Sequence, residues 1–101
     1  MKTWYGYTGK ILDVDLSSAI LSEAELDPCL ANDYMGGKGF GAKILYDQLP
    51  PRCEPLSADN ILVFATGPLT GTLAPSSGRF EVCTKSPATG LWLDSNCGGY
   101  F

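Results

Sequence analysis

A chain of 101 residues, 45% of them hydrophobic, can bury a core without a metal or disulfide staple. Its formal net charge of −4 and its lack of any basic run argue against a nucleic-acid partner, because phosphate contacts need clustered Lys and Arg. With no His, the chain alone can build neither a Ser-His-Asp nor a Cys-His arrangement, nor a His-bearing zinc site.

Residues Lys10 to Leu16 alternate, with Leu12, Val14 and Leu16 on one face and Ile11, Asp13 and Asp15 on the other. That period of two predicts a half-buried strand. Ser17-Ser18 supplies a turn, and Ile20 to Leu26 predicts a second strand returning beside the first. Asp27-Pro28 then reads as a helix start, Asp as N-cap and Pro at the first helical position. The short helix runs through Leu30 and Tyr34 and stops at Gly36-Gly37. A second helix is predicted from near Gly39 to Leu49, with Phe40, Ile44 and Leu45 on its apolar face, ended by Pro50-Pro51.

Pro51 to Asn60 reads as a polar loop. Ile61 to Ala65 is a continuous apolar run of strand length and predicts a buried strand. Thr66 to Gly78 is rich in Gly, Pro, Ser and Thr and predicts an irregular loop. Arg79 to Lys85 alternates again, Ser86 to Gly90 is a turn, and Leu91-Trp92-Leu93 opens a last strand. The order β-β-α-α-β-β-β, with strands joined mostly by hairpins, predicts an α+β fold with a largely antiparallel sheet and two helices.

Cys29, Cys53, Cys83 and Cys97 contain no Cys-x-x-Cys pair of the kind that zinc ribbons and cluster-binding loops use. Met1 to Gly6 lacks the apolar stretch of a secretory signal, and no apolar run approaches the length of a membrane span. Reduced thiols, a cytoplasmic location and no membrane partner are therefore expected. The end of the sequence, Cys97-Gly98-Gly99-Tyr100-Phe101, stops on two aromatics after a Gly pair and reads as a chain cut in mid-motif from something longer.

Three segments could carry chemistry. In Gly36-Gly37-Lys38-Gly39-Phe40-Gly41-Ala42, residues Gly37, Gly39 and Ala42 fit the permissive dinucleotide fingerprint, but a helix rather than a strand precedes them. The competing readings are a helix–helix junction whose glycines take positive φ and pack closely, and phosphate binding at the new helix N-terminus. The loop from Thr66-Gly67-Pro68-Leu69-Thr70-Gly71 to Ser77-Gly78-Arg79 could turn backbone N–H groups toward an anion, with Arg79 as a planar cation. Its bland alternative is a surface loop with a solvated Arg. In Asp94-Ser95-Asn96-Cys97-Gly98-Gly99 the glycines would let backbone touch a ligand, or simply make a tight turn. Cys97 has no sequence neighbour that would activate it as a nucleophile. Together, on one sheet edge, the three segments could form a cleft for a phosphorylated ligand.

These segments resemble aldehyde:ferredoxin oxidoreductases. The resemblance is carried by Gly6 to Leu16, Tyr34 to Lys43, Phe64 to Thr72, Ser77-Gly78-Arg79-Phe80, Thr84-Lys85-Ser86-Pro87 and Asp94 to Phe101, in order and over nearly the whole chain. It implies a longer, cytoplasmic enzyme of anaerobes that converts an aldehyde and water to a carboxylic acid and passes electrons to ferredoxin. The implied cofactors are a tungsten (or molybdenum) bis-pterin, a magnesium ion and a 4Fe–4S cluster whose ligands lie outside this chain. Residues 1–101 would be the first part of the amino-terminal pterin-binding domain, inactive alone, completed by the remaining domains and open to homodimerisation. The resemblance implies that Arg79 sits between pterin and cluster, that the Asn96 backbone carbonyl binds the magnesium bridging the pterin phosphates, and that the Gly98 backbone contacts a pterin. Cys97 stands where many members have a small residue and is given no role; no catalytic residue is expected here. The family's other reactions, reduction of aromatic-ring thioesters and oxidation of sugar aldehydes, remain alternatives. So does a freestanding module for a phosphorylated ligand or a protein.

Overall fold

A computed structural model describes residues 3–99, so Tyr100 and Phe101, the aromatic end of the last motif, lie outside the described residues. The elements follow the order β1 (Lys10–Asp15), β2 (Ile20–Glu25), α1 (Pro28–Tyr34), α2 (Gly37–Gln48), β3 (Val63–Thr66), β4 (Phe80–Lys85) and β5 (Trp92–Cys97). The fold is α+β and every strand pairing is antiparallel, in two separate sheets, β1-β2 and β3-β4-β5.

The hairpin forms where alternation placed it, with Asp15 opposite Ile20 and Lys10 opposite Glu25. Its turn is held by Asp15, whose carboxylate accepts from the Ser17 and Ser18 amides and lies below its usual range because of bonds to Ser18 and Ser17. The expected half-burial is absent: Leu12 is 63% and Leu16 89% exposed. The hairpin's contacts are mainly between its own strands, and at its base the Leu26 amide donates to the Gly9 carbonyl, one pair beyond Lys10 and Glu25.

Helix α1 starts as the Asp-Pro pair dictates. The Asp27 side chain accepts from the Cys29 amide at 2.9 Å, and Pro28 follows in the first turn. It ends at Met35 in the left-handed region, φ +58°. Helix α2 begins at Gly37, two residues earlier than its apolar pattern predicts. The cause is tertiary. Gly36 has φ +97° and lies so close to the next loop that a Cβ there would stand 2.7 Å from the Thr66 carbonyl oxygen.

Strand β3 is shorter and less buried than the apolar run Ile61 to Ala65 implies. It begins at Val63, and Phe64 is 65% exposed. The centre of the fold is the contact of α2 with β4. Cys83 is fully buried, and a Cβ on Gly41 would lie 2.4 Å from its Sγ. Leu26, Ala31, Leu45 and Cys53 complete the buried apolar set among the described residues. The turn between β4 and β5 closes with the Ser86 amide on the Leu91 carbonyl, and this fixes the register that pairs Glu81 with Asn96.

Candidate functional site

Alternation along β4 puts Glu81, Cys83 and Lys85 on one face, with Arg79 continuing it just before the strand. Their partners on β5 are Asn96, Asp94 and Trp92. Helix α2 covers the middle of this face through Gly41 on Cys83 and ends its cover at Gly37, which lies against Glu81. Lys38 in its first turn reaches Asp94 at 3.9 Å. Beyond the start of the helix the face is open, and there Arg79, Asn96 and Gly98 come together.

Arg79 is held at three points. Its carbonyl accepts from Thr70 Oγ1 at 3.2 Å, which ties the Gly-rich loop to the start of β4. Its alkyl stem lies across Gly98, where a Cβ would come within 2.9 Å of Arg79 Cγ. One guanidinium nitrogen donates to Asn96 Oδ1 at 3.1 Å. Among the described residues Arg79 makes no ion pair; the three ion pairs are Lys10–Glu23, Lys38–Asp94 and Lys43–Asp47. Its charge is therefore anchored through a neutral carboxamide and is not cancelled by a carboxylate. The guanidinium borders an open cavity of about 350 Å³, lined by Ser76, Gly78, Arg79, Asn96, Gly98 and Gly99. Cβ atoms added at Gly78 or Gly99 would meet nothing within 4 Å among the described residues, so the rim is open at these two positions.

The three sequence segments do meet: Gly36 packs on Thr66 and Gly67, Thr70 on Arg79, and Arg79 on Gly98 and Asn96. The expected use of the Gly67–Gly71 amides needs correction. The Gly67 amide donates to Thr70 Oγ1 and the Gly71 amide to the Ser77 carbonyl. Those of Thr70 and Thr72 go to the Gly67 and Leu69 carbonyls. The loop uses these donors to build itself, and the cavity is lined instead by Ser76, Gly78 and the glycines after β5. The segment Gly36–Ala42 is a packed helix–helix junction, with Gly36 and Gly37 both at positive φ.

Glu81 is the site residue that sequence reasoning missed. Its Oε1 accepts from Asn96 Nδ2 at 2.5 Å. Its Oε2 is buried and has no hydrogen-bond partner among the described residues. The signal was present in the alternation of β4, which puts Glu81 on the face of Arg79. Of the cysteines, Cys83 lies under α2, where burial first, then Glu81 and Asp94, pushes its thiol up. Cys97 is half-buried and a free thiol. No group of three His, Cys, Asp or Glu able to hold a metal ion occurs among the described residues.

Residues 11–101 match the family described as "Aldehyde ferredoxin oxidoreductase, N-terminal domain". The chain belongs to the aldehyde ferredoxin oxidoreductase family. It is 47% identical over 97 residues to a tungsten-containing aldehyde ferredoxin oxidoreductase of Pyrococcus horikoshii, covering 96% of this chain and 16% of that protein. An aliphatic sulfonate oxidoreductase, WOR-like subunit, of Pyrococcus furiosus is 43% identical over 86 residues, covering 82% of this chain and 14% of its own. Among solved structures, a chain of the active-site complex BamBC of benzoyl coenzyme A reductase, in complex with 1,5-dienoyl-CoA, superposes with a TM-score of 0.88 at 43% identity. The match covers 91% of this chain and 14% of that one. The chain thus spans about one-sixth of the length of these family members. No helix of the described residues is long and apolar enough to cross a membrane.

Proposed function

We propose that this chain supplies part of the cofactor cradle of a cytoplasmic, tungsten-containing aldehyde ferredoxin oxidoreductase of an anaerobe. The reaction converts an aldehyde and water into a carboxylic acid, two protons and two electrons, and the electrons go to ferredoxin. The observation that carries the reading is the Arg79 guanidinium, fixed by Asn96 and Gly98, in no ion pair among the described residues and facing an open, glycine-rimmed cavity.

The residues fit a phosphorylated pterin. An anionic group needs a fixed, uncancelled cation and close backbone approach, and the cavity offers both. When bound, the metal–pterin group would supply the two-electron chemistry. Arg79 would hold its anionic part and lie between it and a 4Fe–4S cluster whose ligands come from elsewhere in the protein. Gly98 would admit the pterin against the backbone, and the Asn96 carbonyl would take the magnesium ion. Strand β5 is one of the two edges of its sheet among the described residues, so alternate backbone groups of this strand point away from β4 and are available to a ligand. The role of this chain is to position; remaining domains of the same protein would bring the substrate pocket and the cluster.

A second reading, a subunit that reduces an aromatic-ring thioester, is favoured by the likeness to the benzoyl coenzyme A reductase complex. Both readings use the same cradle and differ in substrate. The test is metal and pterin analysis of the full-length protein purified without oxygen, followed by dye-linked assays with aldehydes and with aryl thioesters. Tungsten with pterin and aldehyde-dependent dye reduction are expected. Protein that holds neither pterin nor metal overturns the proposal. Arg79→Ala is expected to weaken cofactor retention by at least about tenfold, the scale of one charge-assisted hydrogen bond.

A further inference from the structure

We infer that Glu81 is a positioning residue of the cradle: through Asn96 it fixes the carboxamide orientation that aims the Arg79 guanidinium at the cavity. The inference rests on the cradle reading above and concerns a residue to which that reading gives no role.

The logic is one of donors and acceptors. A guanidinium can only donate, a carboxylate can only accept, and a carboxamide has one end of each kind. Asn96 stands between the two, opposite Glu81 in the β4–β5 register. The arrangement that sets donor against acceptor at both contacts has Asn96 Nδ2 on Glu81 and Asn96 Oδ1 on Arg79, and this is the arrangement present. Remove the acceptor at position 81 and the bond from Arg79 alone orients the carboxamide, so rotation becomes easier. Its NH₂ end can then face the guanidinium, donor against donor, and Arg79 loses its anchor.

Glu81 is half-buried, with one carboxylate oxygen turned inward. Its Oε2 is buried and has no hydrogen-bond partner among the described residues, an arrangement that by itself disfavours the fold. The carboxamide also acts as a neutral spacer. Glu81 steers Arg79 without pairing with it, so the guanidinium charge stays available to an anionic ligand.

The test uses the full-length protein with three side chains at position 81. Glu81→Met keeps length and removes the acceptor; Glu81→Gln keeps an acceptor oxygen. The readouts are tungsten and pterin per polypeptide after gel filtration, the rate at which both are lost on dilution, and the melting temperature of cofactor-free protein. Expected is a fall in retention of about tenfold for Glu81→Met, with melting at or above that of the parent. Glu81→Gln should retain the cofactor within about threefold of the parent, because its oxygen still accepts from Asn96. The inference is overturned if Glu81→Met holds the cofactor as the parent does. It is overturned equally if Glu81→Gln fails as badly as Glu81→Met. A parent protein without pterin would instead overturn the cradle itself, so the two failures are distinct.

Discussion

Two glycine-rich regions of this chain look alike in sequence and do opposite things. In Gly36 to Gly41 the missing side chains are filled by neighbours: added Cβ atoms would lie 2.7 Å from the Thr66 oxygen at Gly36, 2.2 Å from the Tyr34 oxygen at Gly39 and 2.4 Å from Cys83 Sγ at Gly41. At Gly78 and Gly99 an added Cβ would find nothing within 4 Å among the described residues. The first region uses glycine to bring α2 down onto β4 and onto the Thr66–Gly67 corner. The second uses it to leave room. Composition does not separate these uses; what decides is whether the space beside each Cα is already taken.

The largest expected effect breaks the packed region. Gly41→Ala places a methyl inside the van der Waals envelope of Cys83, on a strand that cannot retreat. Ordinary overpacking costs about 1–3 kcal/mol, and this overlap lies at the upper end of that range. Helix propensity returns about 1 kcal/mol, leaving a net loss of about 2 kcal/mol in a denaturant titration. Shrinking Cys83 to Ala in the same protein should recover part of it.

The open region should respond in the reverse sense. Gly78 is not in the left-handed region, and its surroundings are empty, so Gly78→Ala should change stability by no more than about 0.5 kcal/mol. The same methyl narrows the cavity rim, and pterin retention by the full-length protein should fall by about tenfold, or about 1.4 kcal/mol. Equal melting with reduced cofactor content would sharpen the contrast. Unchanged cofactor content would show that the rim is not part of the cradle.

Much of the fold was readable because its signals are local. The Asp27-Pro28 cap set the start of α1, and alternation with the Ser17-Ser18 turn set the first hairpin. The start of α2 was misread because its N-cap, Gly36, offers no side-chain cap and takes its conformation from a loop some thirty positions away. The exposure of Phe64 and Leu12 was misread for a related reason: apolar patterning says which face prefers burial, and the neighbours decide whether it is buried. At the site, Arg79, Asn96 and Gly98 stood out through family resemblance. Glu81 looked like an ordinary polar residue of a strand. Seeing its role needed the β4–β5 register together with the burial of one oxygen, and only the folded chain supplies the second.

The smallest expected effect compares a cysteine from each region. Cys83 is closed under Gly41, and burial, then the carboxylates of Glu81 and Asp94, raise its thiol above the ordinary range. Cys97, at the end of β5 beside the cavity, is a half-buried free thiol. Timed alkylation of the folded protein at pH 7 should modify Cys97, after the exposed Cys29, well before Cys83. The raised Cys83 thiol also fixes a sign. Below its unfolded value, near pH 8.5, both states hold the proton and the contribution to stability is fully present. Above that, the unfolded chain ionises while the folded chain does not, so stability declines with rising pH until the folded thiol ionises too. Replacing Cys83 by Ala should flatten this alkaline decline in denaturant midpoints measured from pH 7 to 10, whatever its effect at neutral pH. If Cys83 is alkylated as fast as Cys97, α2 leaves β4 too often for the packed region to be the rigid half of the comparison.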